Sequence, residues 1–389
     1  MRPPVNLPMR PSILLLLCSW FAAPAVAQTF VEKLTDLMEI KIGPPPADTT
    51  RLQPAIVMAP IVYFEPRTSF GFGFGARLLF KPRGAGPEVR TSNIPIGGSY
   101  TLNNQLFFTS GYTIFFPEEK WLFRGNLNYI DFPQSFYGVG NFTTEDDRRE
   151  ITFQRLLVEP LLLRRVREDV FLGAGLRYDV FFGTELLEAT ESLPAGTNLQ
   201  DELGSTAVGG ELAFSFDKRN NVINATEGLL VEITQGFFGR LLGGTHDFRL
   251  TKLDLRAYRR LAPRQVLGGQ FFARYADGNA PVQELSGLGG RELLRGYPEE
   301  RFRDRLAVFG QVEWRWQALR SIGLVGYAGL GRVAPDPGEL SFSGMYYSLG
   351  TGLRVTIIPD EDINLRLDVA RGLGPTPSWG FYLGLGEAF

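Results

Sequence analysis

Between residues 307 and 317 the chain alternates without a break. Ala307, Phe309, Gln311, Glu313, Arg315 and Gln317 fall on one face, while Val308, Gly310, Val312, Trp314 and Trp316 fall on the other. A period of two marks a strand rather than a helix. The first face turns polar and charged as the run proceeds; the second stays apolar and carries two indoles. Residues 363–370 repeat the design, with Ile363, Leu365, Leu367 and Val369 opposing Asn364, Arg366 and Asp368. In 121–130, Trp121, Phe123, Leu127 and Tyr129 oppose Arg124, Asn126 and Asn128. Leu212, Phe214 and Phe216 face away from Glu211, Ser215 and Asp217, and Lys252, Asp254 and Arg256 oppose Leu253, Leu255 and Ala257. Apolar residues outside and charges inside invert a soluble barrel. They fit strands with lipid on one side and a wet lumen on the other.

Runs of this kind fill the chain from 54 onward. The predicted strands are 54–65, 69–80, 93–102, 106–116, 121–130, 151–166, 170–183, 206–217, 228–238, 246–260, 266–275, 307–318, 322–333, 343–358, 363–370 and 380–389. That is about sixteen, an even number as bacterial barrels require. The expected fold is all-β: a single transmembrane antiparallel β-barrel over residues 54–389. Short connections at 167–169, 263–265 and 359–361 read as periplasmic turns, and the long ones at 183–205 and 276–305 as extracellular loops.

Composition agrees. The chain has 389 residues, 45 glycines, 13% aromatics and one histidine, and its mean hydropathy is near zero, as expected when each strand gives half its residues to water. Residues 1–27 read as a secretory signal: Arg2 and Arg10, an apolar core at 13–21, then Ala25-Val26-Ala27 before Gln28. Leu17 is too large for a lipoprotein cleavage site ahead of Cys18. Cleavage would remove Cys18, the only cysteine, leaving a disulfide-free chain. It would also remove Arg2 and Arg10 and lower the net charge of −2 by two more. Mild acidity argues against nucleic acid as a partner. Residues 28–53 read as a short periplasmic segment. Phe30, Leu34, Leu37 and Met38 share a helical face, which Gly43-Pro44-Pro45-Pro46 ends. It suits a tether or a small amphipathic lid.

Several strings carry a family likeness. Leu294-Arg295-Gly296-Tyr297 follows Gly289-Gly290 and precedes the 307–318 strand. Phe136-Tyr137-Gly138-Val139-Gly140-Asn141, Ser215-Phe216-Asp217-Lys218-Arg219-Asn220-Asn221 and the closing Tyr382–Phe389 accompany it. Together they resemble the BamA/TamA outer-membrane assembly barrels of the bacterial surface antigen family. The resemblance implies a protein of the cell outer membrane, in contact with its lipid, not an enzyme, that assists insertion or translocation of proteins (or lipids). It implies that the 294–297 loop folds back into the lumen, where its arginine meets an acid, and that Phe389 is the C-terminal barrel signal. Two departures matter. Residues 28–53 cannot hold a POTRA domain, since a core needs about 40 residues, so recognition of clients would fall to a periplasmic or membrane partner protein. Tyr327-Ala328-Gly329-Leu330-Gly331 places glycine where the family has its aspartate. Glu313, inward on the adjacent strand, is then the expected partner of Arg295.

Three functions compete. An assembly barrel needs a weak seam between first and last strands. Pro54 and Pro60 each delete a ladder donor, and Gly380, Gly384 and Gly386 interrupt the last strand. A passive porin-like channel would use lumen charges of both signs, Glu211, Lys252, Asp254, Arg256, Glu313, Arg315, Arg366 and Asp368 among them. A hydrolase would have only His246 beside Asp247, with no nucleophile motif to support it. No metal-ligand spacing or phosphate loop appears, and no cofactor is expected.

Overall fold

The computed structural model describes residues 55–65, 69–86, 88–186, 204–319, 321–358, 363–374 and 377–389. The predicted signal and periplasmic segment lie outside these described residues. The strands are β1 (Ala55–Glu65), β2 (Ser69–Phe80), β3 (Ser92–Thr101), β4 (Leu106–Phe115), β5 (Trp121–Phe136), β6 (Arg149–Arg167), β7 (Val170–Leu186), β8 (Thr206–Asp217) and β9 (Gly228–Phe238). They continue as β10 (Phe248–Ala262), β11 (Gln265–Gly278), β12 (Ser286–Leu288), β13 (Phe302–Asp304), β14 (Leu306–Trp316), β15 (Ile322–Ala334), β16 (Tyr346–Ile358), β17 (Ile363–Leu373) and β18 (Ser378–Leu385). Sixteen of them form one sheet in chain order, each antiparallel to the next. The short β12 and β13 stand apart as a hairpin within the 279–305 loop.

The period-two reading sets the two faces. Phe70, Phe72 and Phe74 of β2, Val312, Trp314 and Trp316 of β14, and Trp379, Phe381 and Leu383 of β18 are exposed on the outer wall. Gln311, Glu313 and Arg315 of β14 and Asn364, Arg366 and Asp368 of β17 are buried on the inner one. Trp314 and Trp316 stack with centroids 6.1 Å apart. Such apolar display is stable only against lipid.

Several strand limits differ from expectation, two of them by four residues or more. β5 runs to Phe136 because residues 131–136 pair with β6 even where Pro133, opposite Thr152, gives up a ladder donor. β18 stops at Leu385 instead of reaching Phe389. Odd residues of β18 face the outer wall, so a continued strand would turn Glu387 outward, away from Arg315 and Arg354, which it meets in the lumen. Gly386 turns the backbone at φ 88°, a conformation costly for other residues. The tail enters the lumen, where Phe389 is buried and stacks on Tyr258 at 6.0 Å.

The rim bearing the short turns is partly closed from inside. Val89, in the turn after β2, packs with Phe115, Leu122, Leu161, Leu163 and Phe171, with Val222 alongside. Arg90 spans from that turn to Asp217 (2.9 Å) and Glu119 (2.9 Å).

Candidate functional site: the loop docked in the lumen

The loop from 279 to 305 is held at its base, middle and tip. At the base, Glu284 is buried and accepts from Arg177 of β7 (3.1 Å) and Arg274 of β11 (3.2 Å). Burial pushes the Glu284 carboxyl up; Arg177 and Arg274 pull against it, and Asp179 adds to the rise. Arg274 also donates to the Glu284 and Leu285 carbonyls (2.7 and 2.9 Å). In the middle, Arg301 donates to the Thr143 side chain and carbonyl (both 2.8 Å) and lies over Tyr137 at 4.2 Å. The Gly140 amide donates to the Arg303 carbonyl (2.7 Å), and Tyr346 donates to the Asn141 carbonyl (2.6 Å). The 136–141 string thus forms one bank against which the loop lies.

At the tip the chain makes tight turns. Gly289 has φ 123°, and a Cβ there would sit 2.0 Å from the Pro298 oxygen. Leu294 is fully buried among Phe272, Leu288, Phe309 and Val333. Gly296 lies against β17, where a Cβ would meet the Gly372 nitrogen at 2.5 Å. Its amide donates to the Tyr382 hydroxyl (2.8 Å), and its carbonyl accepts from Ser378 (2.5 Å). The Tyr297 hydroxyl donates to the carbonyls of Leu373 (2.8 Å) and Tyr347 (3.2 Å), and its ring meets Phe302 and Tyr346 edge-on. Burying Leu294 and Tyr297 contributes roughly 1.5–3 kcal/mol each.

Arg295 is 1% exposed. It donates to Glu313 (2.8 Å) and equally to Asp368 (2.8 Å), with Gln311 at 3.1 Å. Its guanidinium lies 3.4 Å from the Tyr327 ring centroid. A side chain at Gly329 would press on Ser348 and Phe309 (3.0 and 3.1 Å). The second carboxylate comes instead from Asp368 on β17.

These contacts close into a ring of three guanidiniums and three carboxylates. Arg295 meets Glu313 (2.8 Å), Glu313 meets Arg315 (2.8 Å), and Arg315 meets Glu387 (3.8 Å). Glu387 meets Arg354 (2.7 Å), Arg354 meets Asp368 (2.5 Å), and Asp368 returns to Arg295 (2.8 Å). Arg366 stands beside it, 3.6 Å from Asp368, as a fourth cation. Burial opposes the Glu387 carboxylate, but Arg315 and Arg354 outweigh it and hold its pKa below the usual range. Arg315 also donates to the Phe389 oxygen (3.1 Å). Loop tip, wall and tail therefore share one electrostatic unit.

The other lumen charges form separate clusters. Asp254 pairs with Arg256 (2.6 Å), Glu211 is buried on β8, and Lys252 lies 6.0 Å from the Phe272 ring centroid. His246 and Asp247 turn to different neighbours: His246 Nδ1 lies 2.8 Å from Thr245 Oγ1, and Asp247 accepts from the Arg240 amide (2.9 Å). Among the described residues, no group of three or more His, Cys, Asp or Glu could hold a metal ion. A cavity of about 1040 Å³ remains between the loop and the wall, lined by Gly75–Arg77, Phe107 and Phe153 on one side and by Arg291, Arg366 and Gly384 on the other.

Glu387 could have been read from the sequence, since a carboxylate at a lipid-facing position of the last strand demands a turn before it. The Glu284 anchor gave no such signal, because an acid at a loop edge is ordinary.

A sixteen-stranded antiparallel sheet, apolar outside, charged inside and occupied by its own loop, defines an outer-membrane β-barrel with an internal plug. The chain belongs to the Omp85 superfamily: residues 88–389 match the Omp85 superfamily domain. It is 30% identical over 127 residues to the outer membrane protein assembly factor BamA of Nitratidesulfovibrio vulgaris, a match spanning 28% of this chain and 16% of that protein. Among solved structures it is similar to BamA from Haemophilus ducreyi lacking POTRA domains 1–3, with TM-score 0.52 and 12% identity, over 94% of this chain and 77% of that one. CdiB from Acinetobacter baumannii gives TM-score 0.56 and 12% identity, over 85% and 59% respectively. The protein is accordingly one of the outer membrane of Gram-negative-type bacteria.

Proposed function

We propose that the barrel inserts or translocates polypeptides at the outer membrane by opening between its first and last strands. The observation that carries this reading is the open edge of the sheet. The sixteen strands of the sheet pair in chain order from β1 to β18, with β11 beside β14, yet among the described residues no ladder joins β18 back to β1. An unpaired edge at a membrane wall is a template for an incoming strand. The docked loop supports the reading, since its tip rests on β17 and β18 beside that edge. Client recognition then falls to a partner protein in the periplasm or membrane, and lipid is an alternative cargo for the same opening. Arg295, Glu313, Arg315, Arg366 and Asp368 serve as the lock that holds the loop, and Phe389 as the residue that seats the tail.

The test is a disulfide across the seam. Cysteines placed on the same face of β1 and β18, for example at Val62 and Phe381 with neighbouring registers tried in turn, bond only if their Cα atoms come within about 7 Å. Locking the seam should abolish insertion, and reductant should restore it. Full activity with a verified cross-link would defeat the proposal. A second reading, a passive channel, draws on the 1040 Å³ cavity. Steady single-channel conductance, unchanged by the cross-link, would favour it.

A further inference from the structure

The unpaired edge of β18 is occupied, and its occupants are arginine side chains. The Gly386 amide donates to the Asn364 carbonyl on β17 (2.8 Å). In an antiparallel ladder such narrow pairs recur at every second residue. Even residues of β18 therefore aim their backbone groups at β17, and Phe381, Leu383 and Leu385 aim theirs at the open side. Two of those carbonyls are capped. Arg77, reaching from β2, donates to the Leu385 oxygen (3.1 Å). Arg291, four residues before Arg295 on the docked loop, donates to the Leu383 oxygen (3.1 Å).

Neither guanidinium has an ion-pair partner among the described residues. Among the described residues Arg77 otherwise donates to Asn93 Oδ1 (3.2 Å), and its buried Nε has no hydrogen-bond partner there. Two permanent cations satisfied by backbone carbonyls are an unusual use of arginine, whose planar fork suits carboxylates. Gly384 makes room for one of them, since a Cβ there would lie 2.6 Å from Arg291. Natural sheets commonly protect an open edge with charge.

We propose that Arg77 and Arg291 form a two-point cap on the edge of β18. The cap keeps stray strands away and yields to an extended, alternating apolar–polar strand of an incoming outer-membrane polypeptide. This rests on the strand-addition reading given above. The two points differ in control. Arg291 travels with the loop, so undocking of Arg295 uncaps Leu383. Arg77 belongs to the wall and stays until a strand displaces it.

The experiment uses the full chain in detergent micelles, with a photo-cross-linking amino acid at Leu383, whose side chain is exposed on the outer wall. The probe is a fluorescein-labelled peptide of the alternating segment Gly228–Phe238. Arg77→Gln and Arg291→Gln should each raise cross-link yield and affinity at least threefold, and the double variant at least tenfold. Arg77→Lys, which keeps a charged donor, should stay near the parent. Arg295→Ala, which leaves both caps in place chemically but frees the loop, should raise capture as Arg291→Gln does. A faster-migrating unboiled gel band confirms that each variant is folded. Capture by the parent that no cap variant improves would overturn the cap while sparing strand addition. Capture by no folded form would overturn strand addition and the cap with it.

Discussion

Removing Glu313 should damage the barrel more than removing Arg295, although Arg295 is the residue that the loop inserts. The ring and its neighbour hold four guanidiniums (Arg295, Arg315, Arg354, Arg366) and three carboxylates (Glu313, Asp368, Glu387). The surplus is one positive charge. Arg295→Ala leaves three of each, and Glu313 and Asp368 keep Arg315 and Arg354 as partners. Its losses are the cation–π contact with Tyr327, worth about 2 kcal/mol when desolvated, and the anchoring of the loop. Glu313→Gln instead leaves four cations facing two anions; it removes a 2.8 Å partner from both Arg295 and Arg315 and leaves Arg315 only Glu387 at 3.8 Å. Breaking a buried pair from one side costs about 3–5 kcal/mol. The expected order is therefore Glu313→Gln worst by roughly 1–3 kcal/mol, with Arg295→Ala,Glu313→Gln no worse than Glu313→Gln alone, because one deletion offsets the other. Urea unfolding in lipid vesicles, followed by tryptophan fluorescence, measures it. Equal losses, or additive ones in the double variant, would refute the charge count.

Three further outcomes are expected. Tyr297→Phe strips the donor from the Leu373 and Tyr347 carbonyls and should cost about 1–3 kcal/mol, seen as a lower urea midpoint in the same assay; an unchanged midpoint contradicts the docked geometry. Gly296→Ala cannot place its Cβ against β17, so the loop should become cleavable by added protease, and continued resistance would count against close docking. Because the pKa of Glu387 is held below its ordinary value, its contribution is present above about pH 4.3 and fades as pH falls through the folded pKa. Labelling of a cysteine at Ala388 should rise in acid, whereas Glu387→Gln should label readily throughout; flat labelling of the parent refutes the link.

The walls were legible because lipid and water grade every second residue. In β14 and β17 each inward or outward assignment follows from the alternation itself, which turns even the apolar Ala307 and Phe309 inward, and Arg295 with Glu313 came from the family resemblance of the 294–297 loop joined to the inward parity of Glu313. Asp368 was legible only as an inward charge. Its meeting with Arg295, 73 positions away, depends on barrel curvature and on how deep the loop descends, neither of which is local. The tail was misread as strand because Gly384 and Gly386 looked like weak points in a ladder, when Gly386 is a turn. Arg77 showed an inward parity and nothing more, since its acceptor is a backbone carbonyl and carries no sequence signature.

The charge ring also orders events in time. Its members come from the loop at 295, from β14, β16 and β17, and from the tail at 387, so it cannot close until the last strand is in place. Contacts of such long sequence separation form late. The loop tip is itself buried among β11, β14, β15 and β16, and the ring around it is completed when the tail turns in at Gly386 and brings Glu387 to Arg315 and Arg354. A chain made without Glu387 should finish its walls and yet leave that last step undone.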